Sequence, residues 1–272
     1  MANARQFMAA RTGAWAKSGS PTPPAYGGLC FTAEAANSSV QLTAVGSAPA
    51  VTLIKSFDGV NWEDYTVGEV IDLPSVGDYV YFASGEGGNN ALGASASAYH
   101  KFVINGLVAA SGDITSLRRF DLVHTAIASY CYNSMFSGCT GLTSAPELPA
   151  TTLSANCYNS MFSGCTGLTS APELPATTLA AFCYREMFSG CTGLTSAPEL
   201  PATTLAPLCY YSMFSGCTRL SLIKVHFTAW GPQTNTWVGN VPSTGTFYKP
   251  SALPEEFSTS KIPTGWTVVN ID

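Results

Sequence analysis

Between Cys131 and Leu220 the sequence repeats one 26-residue unit almost four times. A fixed period of this length is typical of proteins whose turns stack on one another, so that repeated apolar positions form continuous buried columns. We therefore expect a solenoid in which no single turn folds alone. Two cysteine columns, one methionine column and one leucine column share the period: Cys131, Cys157, Cys183 and Cys209; Cys139, Cys165, Cys191 and Cys217; Met135, Met161, Met187 and Met213; Leu142, Leu168, Leu194 and Leu220.

Each unit divides into two halves of different character. In the second unit, four apolar residues follow the spacing of one helix face: Cys157, Met161, Phe162 and Cys165. Gly164 stands where such a short helix would end. The other half of every unit carries prolines, which exclude a helix and indicate an extended segment. The pattern therefore predicts a strand plus a short helix in every 26-residue turn.

The recurring string M-F-S-G-C-T-G-L-T-S, with a proline-bearing segment and L-P-A-T-T-L after it, resembles the BspA-type leucine-rich repeats of gut and oral bacteria and their phages. The resemblance covers residues 114 to about 223. The present unit is longer than the family's and has Met where the family often has Ala. The resemblance implies a leucine-rich-repeat solenoid, and extracellular recognition or adhesion rather than catalysis.

The remaining segments differ from the repeats in pattern. Residues 28–112 contain short apolar or alternating runs between turn signals, which predict an antiparallel β-sandwich. Residues 113–223 would form the leucine-rich-repeat solenoid, residues 224–272 an aromatic C-terminal cap, and residues 1–27 an N-terminal arm. The predicted fold class is thus a β-rich multidomain protein, with a β-sandwich followed by a short strand-plus-helix solenoid and a cap.

The N-terminal arm is basic, because three basic residues precede the first acidic one, whereas the whole chain has a formal net charge of −5. It also carries large apolar side chains that are unfavourable in water. Two interpretations stay open: an anchor that docks onto other virion subunits, and a terminus without fixed structure. The anchor would consist of Arg5, Phe7, Met8, Arg11 and Trp15.

The chain shows no apolar run that resembles a secretion signal or a membrane span. We therefore expect a virion protein, released by particle assembly and lysis, with an extracellular or cell-surface location as the alternative. Only 11% of the residues are charged, without the clustered Lys and Arg that nucleic-acid binding requires. No phosphate loop, nucleophile motif or paired-carboxylate site is present. We expect no enzyme, no catalytic residue, no cofactor and no metal site.

Eight of the nine cysteines occupy the two repeat columns. Their C-x7-C spacing differs from the short pairs of zinc sites. Buried free thiols are the first interpretation, and disulfides between adjacent turns the alternative. Stacking would also bring the acidic column of Glu147, Glu173 and Glu199 together, either as a solvated edge or as a calcium site.

Variation between units marks the candidate binding surface. We expect the first varying column beside the start of each short helix and the other two on its outward face, where a substitution leaves the buried columns intact; random drift is the alternative. The candidate residues are Tyr130, Asn133, Asn156, Asn159, Phe182, Arg185, Leu208 and Tyr211, beside a third varying column of Ser134, Ser160, Glu186 and Ser212.

A second candidate is the hairpin S-F-D-G-V-N-W, with Asp58 and Trp62. It resembles the S-x-D-G-x-x-W hairpin of discoidin-like sugar-binding domains, but it also occurs as plain structure. The sequence as a whole favours a non-enzymatic phage virion protein (capsid decoration, head fibre or tail-associated) that displays a leucine-rich-repeat surface to a host protein or glycan. A bacterial BspA-like adhesin and a carbohydrate-binding module are the alternatives, and self-association stays open.

Overall fold

The computed structural model of the protein describes residues 27–120 and 126–271. The predicted anchor therefore lies outside the described residues. Nine strands precede the repeats: β1 (Cys30–Ala33), β2 (Ser38–Val45), β3 (Leu53–Ser56), β4 (Glu63–Tyr65), β5 (Val70–Leu73), β6 (Tyr79–Ser84), β7 (Gly93–Ser95), β8 (Ala98–Asn105) and β9 (Val108–Ser111). In the described residues, β10 (Leu142–Ser144) lies within the repeats, and three strands come after them: β11 (Leu222–Lys224), β12 (Thr246–Lys249) and β13 (Thr267–Asn270).

These strands form three sheets. Sheet I has the spatial order β10-β9-β1-β6-β3-β4, sheet II the order β5-β2-β8-β7, and sheet III the order β11-β12-β13. Sheets I and II contact each other through aromatic rings. The ring centroid of Phe102 on β8 lies 4.7 Å from that of Phe31 on β1 and 5.6 Å from that of Phe82 on β6. The inward positions of these alternating strands thus meet in one core.

The predicted short helix of each unit is absent. Within the described residues, helical backbone is confined to two 3-10 turns, Ile114–Leu117 and Pro232–Thr234, which both lie outside the repeated units. The repeats contribute a single three-residue strand, β10. The predicted leucine-rich-repeat solenoid, with a strand plus a helix per turn, is therefore wrong, and the described part of the chain is all-β with three separate sheets.

Overlapping β-turns take the place of the helix. Alternate amides close turns within a unit by donating to the carbonyl three residues back, as those of Asn159, Met161, Ser163 and Cys165 do. The amides between them donate to the next unit at 2.7 to 3.0 Å: Tyr158 to Cys183, Ser160 to Arg185, Phe162 to Met187 and Gly164 to Ser189. A helix would use all of these amides internally. Here half of them join one unit to the next.

Spacing along the stack explains why turns replace helices. Helices pack with their axes about 8–10 Å apart, whereas extended segments lie about 4.8 Å apart. The Phe136 and Phe162 rings, on the side where helices were predicted, are only 5.4 Å apart between centroids. That separation is too small for one helix per unit, but it suits a ribbon of β-turns.

Left-handed backbone recurs every four residues in this ribbon. In the second unit it falls at Asn156 (φ 58°), Ser160 (φ 53°) and Gly164 (φ 74°). A residue with a side chain is less stable by about 1–2 kcal/mol in this conformation, except where Gly, Asn or Asp relieves it. The cross-unit hydrogen bonds of these residues offset that cost.

Ser134 offers a direct test, because its φ of 54° matches the conformation that Gly138 adopts four residues later. Ser134→Gly is expected to raise the free energy of unfolding by about 0.5 kcal/mol, since relief of the left-handed strain exceeds the added entropy of the unfolded chain. The matched control is Ser137→Gly, at a position without positive φ. It is expected to lower the free energy of unfolding by about 0.5–1 kcal/mol. Chemical denaturation measures both, and equal effects at the two positions would contradict the strain argument.

Two columns of aromatic rings run along the stack inside the repeats. Neighbouring phenylalanine rings lie 5.4 to 5.8 Å apart and neighbouring tyrosine rings 5.6 to 6.2 Å apart between centroids. The predicted burial of the cysteine, methionine and leucine columns is confirmed, because every member is at most 3% exposed. The ring columns are Phe136, Phe162, Phe188 and Phe214, and Tyr132, Tyr158, Tyr184 and Tyr210.

The second cysteine column also forms hydrogen bonds. Each thiol donates to the carbonyl of the phenylalanine in the preceding layer, as Cys165 does to Phe136 (Sγ to O 3.0 Å) and Cys191 to Phe162 (3.0 Å). An alanine of similar size would lack this donor. All nine cysteines are buried and free, which confirms the first interpretation of their role.

Sheet II begins the stack, and the C-terminal segment continues it. Phe102 stacks on Phe136 (centroids 5.3 Å, planes 14° apart), and its amide donates to the Met135 carbonyl at 2.7 Å. At the other end, the Phe214 amide donates to the Trp237 carbonyl at 2.7 Å. The strands of sheet III then pair in parallel. One hydrophobic cluster consequently extends from Leu29 to Trp266.

Candidate functional site: the variable stripe

The varying positions of the repeats lie together on the β-turn ribbon. We call the twelve residues of the three varying columns the variable stripe. The prediction placed one column beside the start of a short helix and two on its outward face, but these residues form no helix, and Asn133 (3% exposed) and Asn159 (8% exposed) are buried. The other members are half-buried. The stripe consists of Tyr130, Asn156, Phe182 and Leu208; Asn133, Asn159, Arg185 and Tyr211; Ser134, Ser160, Glu186 and Ser212.

Two of the three columns in the stripe occupy left-handed positions. Phe182 has a φ of 59° and Leu208 a φ of 52°, values that bulky residues rarely adopt. Local propensity therefore does not explain these side chains at these positions. Cross-unit hydrogen bonds hold the backbone there, as the Phe182 amide shows by donating to the Pro207 carbonyl at 3.0 Å.

Polar side chains in the stripe bind one another within and across units. Asn159 Nδ2 donates to Asn156 Oδ1 at 3.2 Å. The Ser160 hydroxyl lies 2.8 Å from Asn159 Oδ1 and 3.3 Å from Glu186 Oε2, so a single proton serves either acceptor. The chain of contacts therefore passes from the second unit into the third.

The charges of the stripe are paired. Arg185 donates from Nε and Nη2 to Glu186 Oε1 at 3.1 and 2.9 Å, and its guanidinium lies 5.2 Å from the centroid of the Tyr211 ring. Because this ion pair is partly exposed, it adds about 1 kcal/mol or less to stability. Farther along, the Ser212 and Thr236 hydroxyl oxygens are 2.7 Å apart. The stripe thus presents amide, hydroxyl and aromatic groups with no net charge from Arg185 and Glu186.

The hairpin candidate for glycan binding uses its key residues internally. The Asp58 carboxylate accepts hydrogen bonds from the amides of Val60 (2.8 Å) and Asn61 (2.7 Å), from the Asn61 side chain and from Ser56. Burial by itself would raise the pKa of Asp58, but these hydrogen bonds hold it below its usual value. Trp62 packs edge-on against Phe120, with centroids 5.0 Å apart. Asp58 therefore stabilises the hairpin, and Trp62 also joins it to sheet I, since its ring centroid lies 6.5 Å from that of Tyr81 on β6.

The acidic column has different surroundings along its length. Glu199 binds Lys224 Nζ at 2.9 Å and His226 Nε2 at 2.6 Å. The hydrogen bond from Lys224, followed by that from His226, lowers the pKa of Glu199. Glu147 instead forms a parallel main-chain bridge with Asp113. In residues 27–120 and 126–271, no three His, Cys, Asp or Glu side chains are arranged to hold a metal ion.

A cleft of about 460 Å³ lies beyond the last unit and was not predicted from the sequence. It is bordered by two segments that are 24 residues apart in the chain and that carry no repeat motif. Its signal in the sequence is weak: Trp230 lies in the first segment, and Glu256 and Lys261 lie in the second. The lining residues are Thr228, Ala229, Trp230, Gly231, Asn235, Pro254, Glu256, Ser260 and Lys261.

No family model, curated protein or solved structure matches this chain. The resemblance to BspA-type repeats consequently stays a prediction. No helix in the part of the chain that the structure describes is long and apolar enough to cross a membrane.

Proposed function

We propose that this chain is a non-enzymatic structural protein of a bacteriophage particle, which presents the variable stripe to a partner on the host surface. The observation that carries the proposal is the separation of two sets of residues in the repeats. Buried columns and backbone bonds recur from unit to unit, whereas the three columns of the stripe change while they lie together on the ribbon. A surface of this kind can vary in specificity without loss of the stack.

The construction of the stack supports a display role. Fifteen cross-unit amide bonds of 2.7 to 3.1 Å, from Tyr130 to Gly190, fix neighbouring units relative to each other. The side chains of the stripe are therefore held in place before a partner arrives. Such preorganisation lowers the entropy lost on binding.

The chemistry of the stripe supports a neutral polar partner. Tyrosine, asparagine and serine are residues that recognition surfaces use for adaptable hydrogen bonds and rigid aromatic contacts. Arg185 and Glu186 neutralise each other, so the stripe offers no concentrated charge to an anionic polymer. A host surface protein or glycan fits this chemistry better than nucleic acid does. Attachment to other virion subunits is assigned to the N-terminal arm.

The proposal is tested with purified phage particles and host envelopes analysed by quantitative mass spectrometry. A fixed copy number of this chain per particle is the expected result. Particles that carry Arg185→Ala and Tyr211→Ala together should keep that copy number and adsorb to host cells at least about 10-fold more slowly, because a central aromatic and arginine pair commonly dominates an interface.

The matched control is Thr166→Ala with Thr192→Ala, since both threonines are exposed on the same stack but belong to an unvarying column. The control particles should adsorb normally. Absence of the chain from particles, with recovery from bacterial envelopes, would replace the virion proposal by the adhesin alternative. Normal adsorption of the stripe variant would remove the stripe from the binding role.

A further inference from the structure

The turns that border the cleft are joined differently from the repeated units. Between units, main-chain amides donate to main-chain carbonyls. Between the last turns, two indole nitrogens form bridges of 2.8 Å, from Trp230 Nε1 to the Pro254 carbonyl and from Trp237 Nε1 to the Lys261 carbonyl. The Thr236 amide donates to the Ser260 hydroxyl at 2.9 Å. One main-chain bond also joins these turns, from the Val238 amide to the Thr259 carbonyl at 3.1 Å. The cleft lies beside these bridges, between the two turns.

Trp230 forms an aromatic wall of the cleft. Its ring centroid lies 5.4 Å from that of Phe227 and 6.2 Å from those of Trp237 and Phe247. These contacts and the indole bond to Pro254 fix the ring on one side, while the residue remains partly exposed where it lines the cleft. The wall is therefore rigid and apolar, and it needs no rearrangement to receive a flat molecular face.

The opposite and lateral walls are polar. Asn235 is exposed at the cleft and offers both an amide donor and an amide acceptor. Glu256 and Lys261 form an ion pair at the rim, so they offer an acceptor and a donor without net charge. The Thr228 hydroxyl adds a group that can donate or accept. Neutral hydrogen-bonding groups thus surround one aromatic face.

We propose that this cleft is a binding site for a neutral saccharide of one or two pyranose rings. A pyranose has an apolar C–H face that can lie on Trp230 and a rim of hydroxyls that can bind Asn235, Glu256 and Lys261. A volume of about 460 Å³ lies within the usual range of small-molecule sites. Anionic ligands such as phosphate or a carboxylate fit less well, because Glu256 neutralises Lys261 and the lining offers them no unpaired positive charge. A wholly apolar ligand would leave the polar wall without partners.

This inference goes beyond the proposed function, because the cleft is separate from the variable stripe. It can be tested on the purified chain without particles, so its failure leaves the virion proposal intact. Ligand binding to the full chain is measured by saturation-transfer NMR with glucose, galactose, mannose, N-acetylglucosamine, maltose and lactose. Inorganic phosphate, acetate and indole serve as probes of the competing ligand classes. We expect binding of at least one saccharide with a dissociation constant of about 1 mM, as suits a small open site.

The variants Asn235→Ala and Glu256→Gln change exposed side chains of the cleft, so both should fold normally. Each is expected to weaken saccharide binding at least 10-fold. Glu255→Gln, at the exposed neighbouring residue outside the lining, should bind normally. The proposal is overturned if no saccharide binds, if only phosphate, acetate or indole binds, or if both cleft variants bind normally. Loss of binding in the hairpin variant Asn61→Ala, with normal binding in the cleft variants, would place the sugar site at the hairpin instead.

Discussion

Raising the pH from 8 to 10 is expected to lower the free energy of unfolding by several kcal/mol, because the folded protein keeps its thiols protonated. Burial raises the pKa of Cys157 and Cys191 from the ordinary value of 9.0 to about 12. Burial likewise raises the pKa of Cys30, Cys139 and Cys209 to about 12. The buried thiols thus stabilise the fold only while they carry their protons.

The direction of the effect follows from proton binding. In the unfolded chain a thiol loses its proton near pH 9, whereas in the folded chain it does so only near pH 12. Between these values the unfolded state binds fewer protons, so stability falls as the pH rises. The contribution is fully present below pH 9. At pH 10 the loss of the proton from each such thiol in the unfolded chain lowers the free energy of unfolding by about 1.4 kcal/mol. Five thiols together lower it by about 7 kcal/mol, which is comparable to the whole stability of many domains.

Urea denaturation at pH 8, 9 and 10 measures this decline. The double variant Cys157→Ala with Cys191→Ala lacks two of the titrating groups, so its decline from pH 8 to pH 10 should be smaller by about 3 kcal/mol, whatever its stability at pH 8. Tyrosines add a loss of the same sign above pH 10, because burial also raises the pKa of Tyr158 and Tyr184. An unchanged decline in the double variant would show that other groups cause it.

The sequence predicted which columns of the repeats are buried, but not the backbone that buries them. The spacing of Cys157, Met161 and Cys165 suits a helix face and also suits a ribbon of β-turns, since both return a side chain to the same side after four residues. The distinction depends on left-handed residues at every fourth position. In every unit only the last of these positions carries glycine, the residue type that most favours this conformation, whereas Phe182 and Leu208 argue against it.

Burial of the tyrosine column was missed for the same reason. On a helix, Tyr158 would point about 100° away from Cys157, toward the side. In the β-turn ribbon both are buried, at 1% and 0% exposure. The Tyr158 and Tyr184 hydroxyls find no hydrogen-bond partner within the described residues. Stacking of the rings therefore has to outweigh the unfavourable burial of these hydroxyls.

The candidate sites differ in how far the sequence could predict them. The variable stripe was located by comparison of one unit with the next, but the burial of Asn133 and Asn159 depends on the backbone and was not foreseen. The cleft arises from tertiary bonds between segments 24 residues apart, such as Trp237 Nε1 to the Lys261 carbonyl. No local pattern encodes such a bond, because it requires the stacking of turns that no longer share a repeat motif.

Phe162→Ala is expected to lower the free energy of unfolding by about 3–5 kcal/mol. The Phe162 ring is fully buried and lies between Phe136 and Phe188, at centroid distances of 5.4 and 5.6 Å. Its removal leaves a cavity in the middle of the ring column and breaks two stacking contacts at once. Denaturation in urea measures the loss. Thr166→Ala, at an exposed position of the same unit, is the matched control and should change stability by less than about 0.5 kcal/mol.

The way in which the Phe162→Ala variant unfolds also distinguishes two kinds of stack. A chain of independent repeats would open locally around the second unit, because each unit contacts only its neighbours. Here one hydrophobic cluster joins sheet II to Trp266. Hydrogen exchange should therefore speed up by similar factors for the Phe102 amide in β8 and the Phe214 amide near the other end. Faster exchange confined to the second and third units, with unchanged protection at both ends, would mean that the repeats unfold separately and that the shared core does not couple them.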